Sequence, residues 1–218
     1  LFVGKQAGHN VLDSEKSTMV GYHAGALLGG DAADNNTFVG TAAGSSGNYT
    51  VNDNTANNNV GIGISALGGQ AGAGSAYNFT AANNVAVGVD ALKVATTGAN
   101  NVAIGSSAGL DLTSGGENIF VGKFAGSNIT TTGDNVAIGY QALSTPTTAG
   151  SNTAIGVSAM QSIQAGQAVS SCVAIGRLAL TGGGSTTTGI NGTVAVGYQS
   201  LTALTTGGGN TAMGYQAG

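Results

Sequence analysis

Apolar residues occur along this chain in three-residue runs, most of them introduced by a polar residue and all closed by a glycine, and the unit recurs twelve times. Asn135-Val136-Ala137-Ile138-Gly139 is a representative copy. With the closing glycine numbered zero, position −1 is Val, Ile or Met in every unit, and position −3 is Val, Ile, Leu or Thr. Residues two apart on an extended chain share a face. Val102 and Ile104, Val136 and Ile138, and with them Ile155 and Ile175, are therefore expected to form the buried core of the repeat. Position −2 points the other way and is alanine in seven units, among them Ala86, Ala103, Ala137, Ala154, Ala174 and Ala195; Phe2, Met19, Phe38, Gly61 and Phe120 occupy it elsewhere. Apolar residues on both faces of a strand imply that both faces are covered. One is expected to line the interior, and the alanine face to pack closely on a second body as an oligomer face.

The closing glycines are spaced 17, 19, 23, 25, 17, 17, 17, 17, 20, 21 and 17 residues apart. A fixed minimum period with longer units predicts a solenoid in which each repeat is one coil and the extra residues are loops. The fold class expected is all-β, a parallel β-solenoid of about 12 coils of 17 or more residues. The whole chain, residues 1–218, reads as one repeat domain, with longer loops at about 26–35, 44–58, 68–83, 161–171 and 181–193. Helices are not expected, because the apolar runs are short, β-branched and bounded by Gly, Asn, Ser and Thr. Glycine at position zero suits a sharp turn with positive φ. Position +3 is alanine except at Ser200, and +4 is Gly, Leu or Met. Position −4 is Asn in eight units, from Asn36 to Asn210. In register these amides either form a ladder between coils or serve as solvated turn residues.

Composition narrows the class. Glycine is 40 of 218 residues, only 14 residues are charged, and there is no Trp. The chain should be ordered but thin, without the bulky groups of an ordinary globular core. Ordering each coil costs more backbone entropy than two buried β-branched side chains return, so an obligate oligomer is expected. The five basic residues lie in five different units of a chain with net charge −4, which argues against a nucleic-acid partner. No apolar run is long enough to cross a membrane, so no membrane insertion is expected. Leu1 falls inside the first unit, so the chain reads as an internal segment of a longer fibrous protein.

Candidate chemistry is sparse. Gly105-Ser106-Ser107-Ala108-Gly109 matches a hydrolase nucleophile elbow, but the same register reads Gly122-Lys123-Phe124-Ala125-Gly126 elsewhere, so the match is a by-product of the repeat. His9 and His23 read as loop and surface residues rather than a metal pair, and Cys172, at the usual Asn position, as a packed free thiol. No catalytic residue, cofactor or metal site is expected. The long insertions carry Tyr49, Asp53, Tyr77 and Phe79. Insertions in solenoids emerge as loops on one side, so these four are the candidate ligand-contact residues, against the plainer reading that the aromatics cover the coil edge.

The strings Asn101-Val102-Ala103-Ile104-Gly105, Asn135-Val136-Ala137-Ile138-Gly139 and Asn152-Thr153-Ala154-Ile155-Gly156 resemble the head repeat of trimeric autotransporter adhesins of the YadA type. That resemblance implies a left-handed parallel β-roll, three chains around one axis, displayed on a bacterial surface to bind host matrix. Gly139-Tyr140-Gln141-Ala142-Leu143, nearly repeated at Gly197–Leu201, resembles repeats of bacteriophage and other viral tail-fibre proteins. The expectation is an extracellular, non-enzymatic fibre segment, an intertwined or side-by-side homotrimer, acting in host attachment as a tail-fibre shaft or head on a virion. It would contact a host-surface glycan or matrix ligand. The alternatives are a bacterial surface adhesin head, a self-assembling extracellular filament, or a polysaccharide-degrading β-helix enzyme. The enzyme would need three of Asp31, Asp34, Asp53, Asp90 and Asp111 on one face.

Overall fold

A computed structural model describes residues 1–9, 16–26, 34–45, 56–68, 80–145, 150–163, 169–182 and 187–218. Each three-residue run is a strand, except that the first is shortened to two residues. They are β1 (Phe2–Val3), β2 (Thr18–Val20), β3 (Thr37–Val39), β4 (Val60–Ile62), β5 (Val85–Val87), β6 (Val102–Ile104), β7 (Ile119–Val121), β8 (Val136–Ile138), β9 (Thr153–Ile155), β10 (Val173–Ile175), β11 (Val194–Val196) and β12 (Thr211–Met213). All twelve form one parallel sheet in chain order, and no helix occurs among the described residues. Like positions pair: Val136 with Thr153, Ala137 with Ala154, Ile138 with Ile155.

Coil-to-coil bonding continues beyond the strands. Past the glycine, Gln141 N–H donates to the Lys123 carbonyl at 3.0 Å and Leu143 N–H to the Ala159 carbonyl at 2.9 Å. Both steps recur along the stack, and this is what makes the molecule a β-solenoid rather than an open sheet.

The register glycines are required by more than a turn. Gly139 has φ 133°, and a Cβ there would sit 2.5 Å from the Gly156 carbonyl oxygen of the next coil. Coils stack glycine backbone on glycine backbone, leaving no room for a side chain at this corner.

The two strand faces are the reverse of the sequence expectation. Ala86, Ala103, Ala137, Ala154, Ala174 and Ala195 are all fully buried inside the single chain and form no oligomer face. The residues expected to be the core point outward: Ile104, Ile138 and Ile175 are 42%, 37% and 38% exposed, and Val102, Val136 and Ile155 are half-buried. The coil's interior also receives +3 (Ala108, Ala125, Ala142), +4 (Leu92, Leu143, Met160) and +7 (Leu112, Ile129, Ile163), all buried. A narrow coil already holding three such rows has space left for little more than an alanine from the strand, so the β-branched pair faces out.

Where the strand does insert a large residue, position +4 gives way. Gly25, Gly44 and Gly126 accompany Met19, Phe38 and Phe120, and a Cβ on these glycines would lie 2.2, 2.4 and 2.4 Å from those side chains. Where −2 is Ala or Gly, +4 is usually large, as in Ala137 with Leu143 and Gly61 with Leu67. Interior volume per coil is thus held nearly constant, as close packing demands.

The asparagine column is a continuous buried ladder. Asn118 Nδ2 donates to Asn101 Oδ1 at 3.0 Å, and Asn135 Nδ2 to Asn118 Oδ1 at 3.0 Å. The same oxygens accept the backbone N–H of the following Asn, at 2.9 and 3.1 Å. The pattern runs from Asn36 through Asn59, Asn84, Asn101, Asn118 and Asn135 to Asn152, and Ser17 Oγ starts it by accepting from Asn36 N–H. Beyond Asn152, Cys172 and Thr193 occupy the column and the side-chain ladder stops.

Candidate functional site

Among the described residues the outward face of the sheet is an extended exposed apolar surface. Positions −3 and −1 of twelve strands make two parallel rows, with Ile62, Ile104, Ile119, Ile138 and Ile175 all over a third exposed. Eleven strand pairings at about 4.8 Å each make the strip roughly 53 Å long. Three residues of extended chain give it a width of about 10 Å. A continuous strip of roughly 500 Å² is in the range in which exposed apolar patches mark interaction sites.

Next to this strip, one residue past the glycine, lies a row of different chemistry. Position +1 holds three of the five basic residues, Lys5, Lys123 and Arg177, and four of the six tyrosines, Tyr22, Tyr140, Tyr198 and Tyr215, with no acidic residue. Toward the C-terminal end these side chains form connected stacks. The Arg177 guanidinium lies 5.6 Å from the Tyr198 ring centroid and donates from Nη1 to its hydroxyl at 3.4 Å. Tyr198 stacks on Tyr215 at 5.2 Å and 13°. Lys123 Nζ sits 5.0 Å over Phe124, whose ring meets Tyr140 edge-on at 6.5 Å. Beneath the tyrosines the +2 glutamines are linked, Gln216 Nε2 donating to Gln199 Oε1 at 2.9 Å. Sequence reasoning placed the five basic residues in separate repeats and missed that register aligns three of them. The row was readable from the column of residues that follows the glycine.

The loop residues singled out from sequence, Tyr49, Asp53, Tyr77 and Phe79, lie outside the described residues, as do large parts of the five insertions. Of the acidic residues an enzyme reading would need, Asp31 and Asp53 lie outside as well. Asp34, Asp90 and Asp111 stand at −6, +2 and +6, three different register positions, and Asp90 pairs with Lys93 at 3.1 Å. Ser107 and His23 share the +2 row but belong to β6 and β2, four pairings apart, roughly 19 Å. Among the described residues no group of three or more His, Cys, Asp or Glu converges, and no helix is long and apolar enough to cross a membrane. Cys172 is buried, its Sγ 3.1 Å from the Ile190 carbonyl. Burial raises its thiol pKa, against hydrogen bonds from the backbone at Thr193 and Gly192 that lower it. The Thr193 hydroxyl beside it has no hydrogen-bond partner. Thr96, Thr113 and Thr130 share one column, and the first two hydroxyls donate to the next coil's carbonyl at 3.0 and 2.9 Å, so these threonines join coils.

Architecture and surface define a parallel β-solenoid carrying one apolar sheet face and one basic, aromatic row. No protein-family model matches the chain, and comparison with curated proteins and with solved structures gives no match.

Proposed function

We propose that this chain is a structural and adhesive segment of an extracellular fibre, a homotrimer whose three solenoids pack through the −3 and −1 rows. The observation that carries the reading is the unbroken strip of Val, Ile and Thr on a rigid sheet whose interior is already full. A strip of this length matches a partner with the same repeat, and another copy of the chain has it by construction. Twofold or threefold closure removes the strip from water; three copies enclose it around one axis, in keeping with the repeat resemblance, which also implies left-handed winding. The biological setting that best fits is a phage or viral tail-fibre shaft or head in host attachment, on the strength of the Gly-Tyr-Gln-Ala-Leu units. A bacterial surface adhesin head is the second reading, favoured by the Asn-Val-Ala-Ile-Gly units. In both, the chain holds a binding tip away from a surface and carries no catalytic role.

Light scattering on a sizing column tests this. The expected mass is three times 20.8 kDa, and the variant Ile104→Asp with Ile138→Asp should elute as a monomer that keeps its β-rich circular dichroism. A β-rich wild-type monomer at working concentration sinks the trimer and leaves the strip for a different partner.

A further inference from the structure

We propose that the +1 row from Lys123 to Tyr215 is a binding ridge for an anionic, carboxylate-bearing polysaccharide laid along the solenoid axis. The inference deepens the adhesive part of the fibre reading and rests on it, but uses surface which that reading leaves free. Its basis is a non-random placement: on a chain with net charge −4, one column of twelve positions collects three of five cations and four of six tyrosines and no carboxylate. Lys123, Tyr140 and Arg177 stand in the same row and are exposed, with Val157, 44% exposed, at the one position between Tyr140 and Arg177, while Tyr215 is 74% exposed.

The chemistry of the row selects the ligand class. Tyr140 and Tyr215 are exposed, and Tyr198, half-buried between Arg177 and the stacked Tyr215, leaves its edge and hydroxyl rather than its faces, a mixture of apolar ring and hydroxyl that suits a pyranose. Their orientation is held by the neighbouring cation and ring, so little side-chain freedom is lost on binding. Arg177 keeps guanidinium N–H groups beyond its one bond to Tyr198, and a guanidinium pairs with carboxylate through two parallel hydrogen bonds. The Gln199–Gln216 pair in the adjoining +2 row adds amide groups able to bond sugar hydroxyls. The axial repeat of about 4.8 Å is close to the length of one extended sugar unit, so rings and cations recur in step with the chain they would contact. Nucleic acid fits less well. A duplex carries one charge per about 1.7 Å of axis and owes its affinity to clustered cations that displace its counterions, whereas a uronate polymer carries at most one per sugar and this stretch offers two cations, separated by three strand pairings on an acidic chain.

The test is calorimetric titration of the whole 218-residue chain with polygalacturonate, alginate and hyaluronate, beside neutral dextran and an oligo(dT) strand. Saturable binding of at least one uronate polymer is expected. Arg177→Gln, Tyr198→Ala and Tyr140→Ala should each weaken it about tenfold or more with unchanged circular dichroism, while Lys93→Gln, outside the row, leaves it intact. The proposal is overturned if none of the three uronates binds, if dextran or oligo(dT) binds as tightly, or if Lys93→Gln weakens binding as much as Arg177→Gln. Light scattering on the same samples separates the two readings: a trimer without uronate binding removes the ridge and keeps the fibre, and a monomer that binds does the reverse.

Discussion

At the scale of single residues the coil is governed by volume. Phe120 and Gly126 fill one coil together, as Ala137 and Leu143 fill the next, and leucines at the +4 position already adopt positive φ, 48° at Leu143. Phe120→Ala should therefore cost about 3–5 kcal/mol through the cavity it leaves. Adding Gly126→Leu should recover at least half of that in urea denaturation, since it rebuilds the neighbouring coil's arrangement. The register glycine tolerates no such exchange. Gly139→Ala meets a backbone oxygen at 2.5 Å and should destabilise by more than about 3 kcal/mol. Gly189→Ala, where nothing lies within 4 Å and only the φ of 63° is unfavourable, should cost about 1–2 kcal/mol. Cys172 supplies a pH signature. Its folded thiol pKa is raised by burial, so the folded state holds the proton where the unfolded chain has lost it. The stability linked to this thiol is complete below the unfolded pKa of about 8.5 and is lost as pH rises from there through the folded value. Thermal melts on the alkaline side should show a decline in wild type that Cys172→Ala reduces.

At the scale of the element, the strand is too short to be stable alone, and the asparagine ladder beside it supplies part of the cohesion. Asn118 gives and accepts side-chain bonds on both sides in a fully buried column. Asn118→Ala leaves the amide groups of both neighbours short of partners and should cost about 2–4 kcal/mol. Asn210, half-exposed and bonded through its side chain to the Gly207 carbonyl, should cost under about 1 kcal/mol when changed to Ala. Equilibrium unfolding of the two variants checks the contrast. The ladder's end at Cys172 and Thr193 marks a weaker segment, and the paired change Cys172→Asn with Thr193→Asn, which extends the column toward Asn210 and removes an unpartnered hydroxyl, should stabilise the chain.

At the scale of the whole molecule, parallel coils in register turn each repeat position into a line along the rod. A column of β-branched residues becomes an apolar strip, and a column of cations and tyrosines becomes a ridge. Each coil contacts only its neighbours, so stability accumulates coil by coil. Burying the strip between copies would add a term that depends on protein concentration, and the melting temperature of wild type should rise with concentration while that of the Ile104→Asp, Ile138→Asp variant stays constant. A concentration-independent wild-type melt counts against the oligomer.

The amino-acid pattern by itself determined the strand positions, the register, the parallel coil-on-coil arrangement and the columns that stack, because a repeat of fixed period brings like residues together whatever the cross-section. The closing glycine, the −4 asparagines and the twelve runs were all legible in this way, and the +4 glycines opposite Met19, Phe38 and Phe120 carried a signal for the interior that the strand parity did not. Which face of the strand turns inward was settled only by the packing of the closed coil. Alternation says that Ile104 and Ala103 lie on opposite sides, and apolar residues on both give no preference. The choice came from the space left inside a narrow closed coil by the +3, +4 and +7 rows and the asparagine amides, which admits an alanine and sends the isoleucine out. With that choice made, the surface open to a partner became the β-branched face, and the alanines became the core.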